Sequence, residues 1–280
     1  MYRPVLRELR EQKPMIHCIT NSVTARDCAN ILLGIGGSAI MAEAVEEVEE
    51  ITSLCNGLVL NLGMLTSQKL SAMLLAGKRA NELGIPVVLD PVGVGASSFR
   101  KQAVQELLEK VSFTAIRGNL SEIKVLADGH AKSHGVEVAA EDVLRPHHNE
   151  VVFAMCKELS RRYHAIVIVS GEQDIVADGE DICLVHNGHA MMSRITGAGC
   201  QLSALLGAFL AVKSEEEWQG RPFGFYNSLK AVCTMGVCGE LAYESLAAGE
   251  GNASFSTRLI DMVYHITDET LLERERYEHY

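Results

Sequence analysis

Short apolar runs alternate along the chain with stretches whose apolar positions recur at helical spacing. The runs predict buried strands at 58–62, 86–90, 113–117 and 165–169. The spaced positions predict helices at 68–83, 99–111, 121–127 and 151–162. Continuous apolar strands, each followed by a helix, are typical of a parallel sheet buried on both faces. The pattern therefore predicts an α/β fold with a mostly parallel central sheet and helices on both sides.

One polar segment, 128–150, interrupts this alternation, which resumes beyond it. We therefore expect a loop within a single domain that spans 1–280, not a linker between two domains. After Gly197 the chain is predicted to be almost entirely helical. The longest apolar stretch, 202–212, is too short to cross a bilayer and is interpreted as a buried helix.

The charge and the composition of the chain reduce the number of function classes to consider. The net charge of −11 and the aromatic content of 5% disfavour binding to nucleic acid or to an anionic membrane. The charged N-terminal stretch has no apolar signal core, so a cytoplasmic protein is expected. A small molecule is the expected partner.

The eight cysteines are scattered and contain no Cys-x-x-Cys pair, which makes a zinc ribbon improbable. Seven of them are predicted to be reduced core residues. Three other patterns are interpreted as structural, because each has a simpler explanation than chemistry. They are the glycine-rich string 34–39 as a helix stop before a strand, the acidic run 43–50 as a solvated face, and His147-His148 as solvated loop residues.

The first chemical motif is Thr196-Gly197-Ala198-Gly199-Cys200, directly ahead of an apolar helix predicted to start near Gln201. Glycines let the backbone approach a ligand, and the free N–H groups of the helix start make an anion hole for phosphate. Gly197, Ala198 and Gly199 would form that hole, with Cys200 on the first turn. A plain glycine turn capped by Thr196 is the alternative.

Two further motifs lie at predicted strand ends. Asn119 and Glu122 are spaced as a capping box, in which an early carboxylate can also hold hydrated Mg²⁺, and Arg117 adds a cation for polyphosphate. Asp90 ends another strand and precedes a glycine loop. Because open α/β sheets bind ligands at strand carboxyl ends, Asp90 is expected to join Glu122 at the metal.

In this combination the sequence resembles the hydroxyethylthiazole kinase family of the ribokinase-like superfamily. The superfamily features are Asn119-x-x-Glu122 and Gly197-Ala198-Gly199. The family features are Ile19-Thr20-Asn21, Asn61-Leu62-Gly63, the stretch LDPVGVGAS at 89–97, Arg117-Gly118-Asn119 with Ser121-Glu122-Ile123, and Thr196 to Cys200. The resemblance extends over residues 19 to 200.

This resemblance implies ATP-dependent phosphorylation of the primary alcohol of 4-methyl-5-(2-hydroxyethyl)thiazole, a salvage step toward thiamine. It also implies a homotrimer whose thiazole pocket lies between adjacent subunits. The implied residues are Asn21, Met41, Gly63, Gly197 and Cys200 at the thiazole, Arg117 and Ser170 at ATP, and Asp90 and Glu122 at Mg²⁺. The core begins by residue 15, which leaves no room for the N-terminal lid domain that sugar kinases of the superfamily carry.

The chain departs from the family pattern at Met64, where threonine is usual, and at Ala44-Val45, where a proline is usual. Sugar kinases of the superfamily place a catalytic aspartate where Cys200 stands. A helix N-terminus would lower the pKa of that thiol below about 8.5, although a thiolate would be repelled by ATP. We therefore expect Cys200 to orient the alcohol and to assist its deprotonation only weakly.

Three alternatives stay open at this point. The first is that the chain is another small-alcohol or vitamin kinase of the same fold, such as a pyrimidine-precursor or pyridoxal kinase. The second is that it is a hydrolase or acyltransferase with Cys200 as nucleophile, which needs His17 or His189 within hydrogen-bond reach. The third is that it is a nucleotide sensor without activity.

Overall fold

The structure, a computed structural model, describes residues 3–128, 149–213 and 223–280. Its helices are α1 (Val5–Gln12), α2 (Ala25–Ile35), α3 (Val48–Leu54), α4 (Ser67–Leu83), α5 (Ser98–Lys110), α6 (Leu120–Asp128), α7 (Asn149–Tyr163), α8 (Ala198–Leu210), α9 (Phe223–Glu244), α10 (Asn252–His265) and α11 (Asp268–Arg274). Its strands are β1 (Met15–Ile19), β2 (Ser38–Ile40), β3 (Gly57–Asn61), β4 (Val87–Asp90), β5 (Ala115–Asn119), β6 (Ile166–Ser170), β7 (Asp174–Asp178), β8 (Asp181–Val185) and β9 (Tyr277–His279).

These strands form one sheet in the order β2-β1-β3-β4-β5-β6-β7-β8-β9. The six strands from β2 to β6 are parallel, and β7, β8 and β9 continue the sheet in antiparallel fashion. The mostly parallel sheet predicted from the apolar runs is confirmed. Within the described residues all strands belong to this sheet, and no separate lid is present.

Each face of the sheet buries its own apolar cluster. On one face α8 packs against β1, β3 and β4, with α2, α9 and α10 around it, and Leu32, Phe209 and Phe255 are fully buried there. On the other face α4 and α7 cover the sheet, with Met73 and Cys156 in the core. Burying side chains of this size stabilises the fold by about 2–3 kcal/mol each. The sheet is therefore covered on both sides, as predicted.

The predicted elements are found within two residues of their expected bounds from β3 through β6. The glycine-rich string at 34–39 is confirmed as a helix stop: α2 ends at Ile35, Gly36 adopts the left-handed conformation, and β2 follows. One boundary was wrong, since α8 begins at Ala198 instead of near Gln201. The sequence patterns also missed the β7–β8 hairpin and β9.

Other predictions have mixed outcomes. The glutamates from Glu43 to Glu50 are exposed, as expected. None of the helices in the described ranges has the length and apolar character that crossing a membrane requires. The predicted loop at 128–150 falls, from 129 to 148, outside the described residues, as do His147 and His148. The single-domain extent of 1–280 stays a prediction.

Candidate active site

The candidate residues converge because parallel strands present their carboxyl ends at one edge of the sheet. Asn61 ends β3 and lies in register with Asp90, which ends β4. Asn119 ends β5, in register with Ser170 at the end of β6. The start of α8 reaches the same edge, where Ser203 on its second turn contacts Asp90.

Asp90 is the buried centre of this edge. Its Oδ2 accepts hydrogen bonds from Asn61 Nδ2 at 2.6 Å and from Ser203 Oγ at 2.8 Å. Its Oδ1 is buried without a hydrogen-bond partner and lies 3.6 Å from Nη1 of Arg117. Burial raises the pKa of the Asp90 carboxyl, and the Arg117 guanidinium opposes that rise.

Cys200 lies on the first turn of α8, as predicted, and is partly exposed. Its Sγ accepts weak hydrogen bonds from Asn61 Nδ2 at 3.3 Å and Asn21 Nδ2 at 3.5 Å. The expectation of a lowered pKa was wrong. Burial, and then the charge of Asp90, raise the pKa of this thiol despite the two amide donors. Cys200 is therefore a neutral thiol at pH 7.

The remaining seven cysteines are buried, which confirms their prediction as core residues. Burial raises the pKa of Cys28 to about 12 and of Cys55 to about 11. Such thiols are protonated and unreactive at neutral pH. Cys200 is the cysteine with both access and polar neighbours.

The glycine motif before α8 has the geometry of an anion site. Gly197 has φ +87°, a conformation that residues with a Cβ rarely adopt, and it precedes the first helical residue. A Cβ on Gly199 would overlap the guanidinium of Arg117, so glycine is needed for this close approach. The first N–H groups of α8 have no acceptor within the helix, and Arg117 lies beside them. The three residues 197–199 and Arg117 thus face one anion site.

Glu122 forms the predicted capping box. Its backbone N–H donates to Asn119 Oδ1, and its Oε2 accepts from the N–H of Asn119, both at 2.9 Å. Its Oε1 accepts from the N–H of Gly93, in the loop after β4, at 2.8 Å. The carboxylate therefore ties the glycine loop to the start of α6.

The two carboxylates suit Mg²⁺. The charge of Glu122 contributes to the raised pKa of Asp90, so the groups interact, and Asp90 Oδ1 accepts no hydrogen bond, although Arg117 Nη1 lies 3.6 Å from it. In the part of the chain that the structure describes, no group of three or more His, Cys, Asp or Glu residues is placed to hold a metal. Mg²⁺ is usually held by one or two carboxylates together with waters and substrate phosphates. The donor set fits that ion.

A cleft of about 920 Å³ leads away from the anion site. Arg117, Ser170 and Gly199 line this cleft together with Asn187 to Ala190, Met192 and Ser193. Arg117 Nη2 donates a short hydrogen bond to Ser170 Oγ. The structure therefore brings both predicted ATP residues to the cleft wall.

Asp174, also in the cleft wall, has a raised pKa. Burial is the main cause and brings it to about 6, although its Oδ1 accepts a hydrogen bond from the N–H of Gly171 at 2.9 Å.

The substrate residues predicted from the family divide into two groups. Asn21 and Gly63 belong to the hydrogen-bonded cluster, because Asn61 Oδ1 accepts from Asn21 Nδ2 at 3.1 Å and from the Gly63 N–H at 2.9 Å. Met41 follows the edge strand β2 and is 38% exposed, so it lies at the rim. Met64, the departure from the family pattern, is also exposed, and its Sδ accepts from Ser22 Oγ at 3.1 Å.

Two basic residues hold the loops that carry these groups. Lys69 Nζ donates to the Thr20 carbonyl at 2.9 Å and pairs with Glu43 at the same distance. Arg100 Nη1 donates to the carbonyls of Leu62 and Val92 at 2.5 and 2.6 Å. Because Glu43 pairs with Lys69, it helps to hold this loop and is not only a residue of an exposed acidic helix face.

Sequence reasoning did not assign site roles to Asn61, Ser203, Lys69 or Arg100. The position of Asn61 at the end of a strand was a usable signal. Ser203 lies one helical turn after Gly199, so its face could have been inferred from helical spacing.

Neither histidine proposed for a cysteine nucleophile is available to Cys200. His17 is buried, with Nδ1 bonded to Thr52 Oγ1 at 2.9 Å and Nε2 to the Ala42 carbonyl at 2.8 Å. His189 accepts from the N–H of Met191 and stacks on Tyr243, with ring centroids 3.6 Å apart. The hydrolase alternative therefore lacks its base.

Comparisons with known proteins agree on one family. The sequence model described as the hydroxyethylthiazole kinase family matches residues 6–269. Hydroxyethylthiazole kinases from Clostridium acetobutylicum and Clostridium tetani are 44% and 41% identical, over 100% and 96% of this chain and 100% and 94% of theirs.

Solved structures give the same picture. The structure of a hydroxyethylthiazole kinase protein from Pyrococcus horikoshii OT3 has a TM-score of 0.84 at 34% identity, over 99% of this chain and 97% of that one. Pyridoxal kinase from Staphylococcus aureus in complex with AMP-PCP has a TM-score of 0.58 at 13% identity, over 96% and 98%. At that identity the second similarity shows the ribokinase-like fold alone.

Proposed function

The chain belongs to the hydroxyethylthiazole kinase family, and from that premise we propose that it transfers the γ-phosphoryl group of ATP to the hydroxyl of 4-methyl-5-(2-hydroxyethyl)thiazole. This is a salvage step toward thiamine. The observation that carries the proposal is the convergence of Cys200, Asp90 and the start of α8 beside the cleft that Arg117 and Ser170 line.

ATP is proposed to lie along this cleft with its phosphates at the start of α8. The N–H groups at Gly197, Ala198 and Gly199 and the guanidinium of Arg117 would receive charge that builds on the transferred group. Ser170 accepts a hydrogen bond from Arg117 and so holds the guanidinium toward the phosphates. Phosphoryl transfer depends mainly on this positioning and charge neutralisation.

The alcohol is proposed to enter from the side of Asn21, Gly63 and Met41, next to Gly197. Its hydroxyl would meet the neutral thiol of Cys200, which the amides of Asn21 and Asn61 orient. A loose transition state requires the hydroxyl proton to leave late, so a strong base is unnecessary. Cys200 is therefore assigned the orientation of the alcohol, and the hydroxyl proton would pass late to an oxygen of the transferred phosphoryl group, since a neutral thiol is not a proton acceptor.

Asp90 and Glu122 are proposed to hold Mg²⁺. When bound, the ion neutralises phosphate charge and polarises the phosphoryl oxygens. Asp90 Oδ1 supports this assignment, because this buried acidic oxygen accepts no hydrogen bond and the Arg117 guanidinium, 3.6 Å away, is beyond hydrogen-bond distance, so a bound cation would supply the missing contact. Asn61 and Ser203 fix the other oxygen and so aim Oδ1.

A homotrimer is also proposed, with the thiazole pocket closed by an adjacent subunit. The single sheet of the described residues provides no lid of its own. The exposed methionines Met41 and Met64 lie on the side where that subunit would close the pocket.

The test is ATP turnover by the purified chain with the thiazole alcohol, run beside pyridoxal and a hydroxymethylpyrimidine. We expect ADP formation that depends on the thiazole alcohol, at a kcat/KM well above that for the other two alcohols. A preference for pyridoxal or for the hydroxymethylpyrimidine would mean that the chain is a kinase with a different substrate. No alcohol-dependent turnover would favour the sensor alternative and overturn the proposal.

A further inference from the structure

Part of the cleft wall is held from behind by Glu240, a carboxylate of α9 that does not itself line the cleft. Its Oε1 accepts hydrogen bonds from the N–H of Gly188 at 2.9 Å and from Asn187 Nδ2 at 3.2 Å. Arg276 Nη2 lies 2.7 Å from the same oxygen. Gly188 does line the cleft, so the carboxylate acts from behind the wall.

The side chain of Asn187 is buried and spans the same region. Its Nδ2 also donates to the Arg274 carbonyl at 2.9 Å, and its Oδ1 accepts from the N–H of Arg276 at 2.7 Å. A Cβ on Gly236 would overlap Asn187, so α9 approaches the loop as closely as a glycine allows. The loop is thus clamped between α9 and the segment at 274–276.

The backbone bonds of this clamp extend the pairing between β8 and β9. The His186 N–H donates to the Arg276 carbonyl at 2.8 Å, directly after the pairing of β8 with β9. Arg276 Nη2 also donates to the His186 carbonyl at 3.1 Å. The C-terminal segment therefore reaches the cleft loop through both backbone and side-chain bonds.

We propose that Glu240 is a positioning residue for nucleotide binding: it holds the loop 186–188 in the shape that receives the nucleoside end of ATP. The inference rests on the proposed function, because it takes the cleft as the ATP site. Glu240 has a side-chain exposure of 13%, so its bonds to the loop are poorly screened by solvent. Hydrogen bonds to a charged acceptor in such a place are stronger than neutral ones.

Glu244 provides a matched control. It lies one turn further along α9 and pairs with the side chain of Arg274 at 2.8 Å, but it is 53% exposed, and Asn187 bonds only the backbone carbonyl of Arg274. Removing its charge perturbs the same helix and the same segment without releasing the loop. An exposed pair of this kind contributes little to stability.

The experiment measures steady-state kinetics and the binding of Mg²⁺ and AMP-PCP, a non-hydrolysable ATP analogue, by calorimetry for Glu240→Gln and Glu244→Gln. For Glu240→Gln we expect KM for ATP and Kd for AMP-PCP to rise roughly tenfold, with KM for the alcohol and kcat within about twofold of wild type. Glu244→Gln is expected to match wild type in both KM values, in kcat and in the Kd for AMP-PCP. Melting temperatures are recorded for both variants, so that a general loss of stability is distinguished from a loss of ATP affinity.

If the wild-type chain binds AMP-PCP and Glu240→Gln binds it equally well, the inference is overturned while the proposed function stands. If both KM values change together, Glu240 has only a structural role and the inference is again overturned. Should Glu240→Gln not fold, Glu240→Asp carries the same measurement, since it keeps the charge and shortens the side chain that reaches the Gly188 N–H. Failure of the wild-type chain to bind the analogue would instead overturn the proposed function.

Discussion

The surroundings of Cys200 explain how a thiol can serve beside the proposed phosphate site. Two amides donate to Sγ, but burial and the nearby Asp90 charge keep its pKa raised. A second full anion at this place would face both Asp90 and the phosphates of ATP. A neutral group avoids that repulsion at the cost of basicity.

Substitution at Cys200 tests how much basicity the reaction needs. We expect Cys200→Asp to retain or raise kcat, because a carboxylate is the better proton acceptor, and Cys200→Ala to lower kcat by roughly tenfold or less. Initial rates at saturating ATP and alcohol measure both. Cys55→Ala is the control, since Cys55 precedes β3 at the opposite edge of the sheet. Abolished activity in the aspartate variant would contradict the assigned role.

The pH dependence of the free energy of unfolding tests whether the Asp174 carboxyl is buried in the cleft wall. Burial raises its pKa to about 6 in the folded chain, above the ordinary aspartate value of 3.8, so the folded state holds this proton more tightly. As pH rises from 4 to 6, the folded state therefore loses stability relative to the unfolded state. Above pH 6 that loss is complete.

Asp174→Asn removes this dependence and keeps an oxygen for the Gly171 N–H. We expect its free energy of unfolding, minus that of wild type, to grow by about 2 kcal/mol between pH 4.5 and 7.5. Urea unfolding at several pH values measures the difference. The exposed Asp261→Asn is the control for the loss of a carboxylate outside the cleft wall. A flat curve for Asp174→Asn would mean that the carboxyl is not desolvated.

At the scale of the elements, a strand end and a helix start make the proposed metal site. Asp90 closes β4, and Glu122 caps α6 while holding the Gly93 loop. Glu122 is held by two backbone N–H groups, and Asp90 by the side chains of Asn61 and Ser203, before any ligand arrives. Such fixed ligands lower the cost of organising the site when Mg²⁺ and the phosphates bind.

Removing either charge should therefore raise the Mg²⁺ requirement. We expect Asp90→Asn and Glu122→Gln each to need at least roughly tenfold more Mg²⁺ for half-maximal activity, because one anionic ligand is lost. A Mg²⁺ titration of activity at fixed ATP measures this. Glu106→Gln, which breaks an exposed pair with Lys110 on α5, should leave the titration unchanged. Unchanged titrations in both test variants would make the metal assignment wrong.

The elements also show what the sequence could and could not predict. The strands from β3 to β6 were predictable because each is a continuous apolar run. The β7–β8 hairpin was missed because no helix separates its strands from β6 or from each other, so they do not follow the strand–helix alternation, although Gly179 after Asp178 is a turn signal. Ser203 and Asn61 were not assigned because their role arises from contact with Asp90, which is 113 and 29 residues away along the chain.

At the scale of the whole molecule, the substrate side exposes apolar surface. Val23 is 63% exposed and Met64 is 54% exposed, and the loops that carry them meet where Ser22 donates to Met64. Both lie beside Asn21, on the side where the alcohol is proposed to enter. Contiguous apolar surface next to a binding site is typical of a protein interface.

In the proposed trimer, the exposed surface around Val23 and Met64 is an interface between subunits. A charge placed there should separate the subunits. We expect the wild-type chain to sediment at about three times its 30.5 kDa mass, and Val23→Glu at a smaller mass with a raised KM for the alcohol. AMP-PCP binding should persist in that variant, because its cleft lies within one chain. Val151→Glu is the matched control, since Val151 is 71% exposed on α7, which covers the face of the sheet opposite α8. A fully active wild-type monomer would contradict the trimer and require the thiazole pocket to be complete within one subunit.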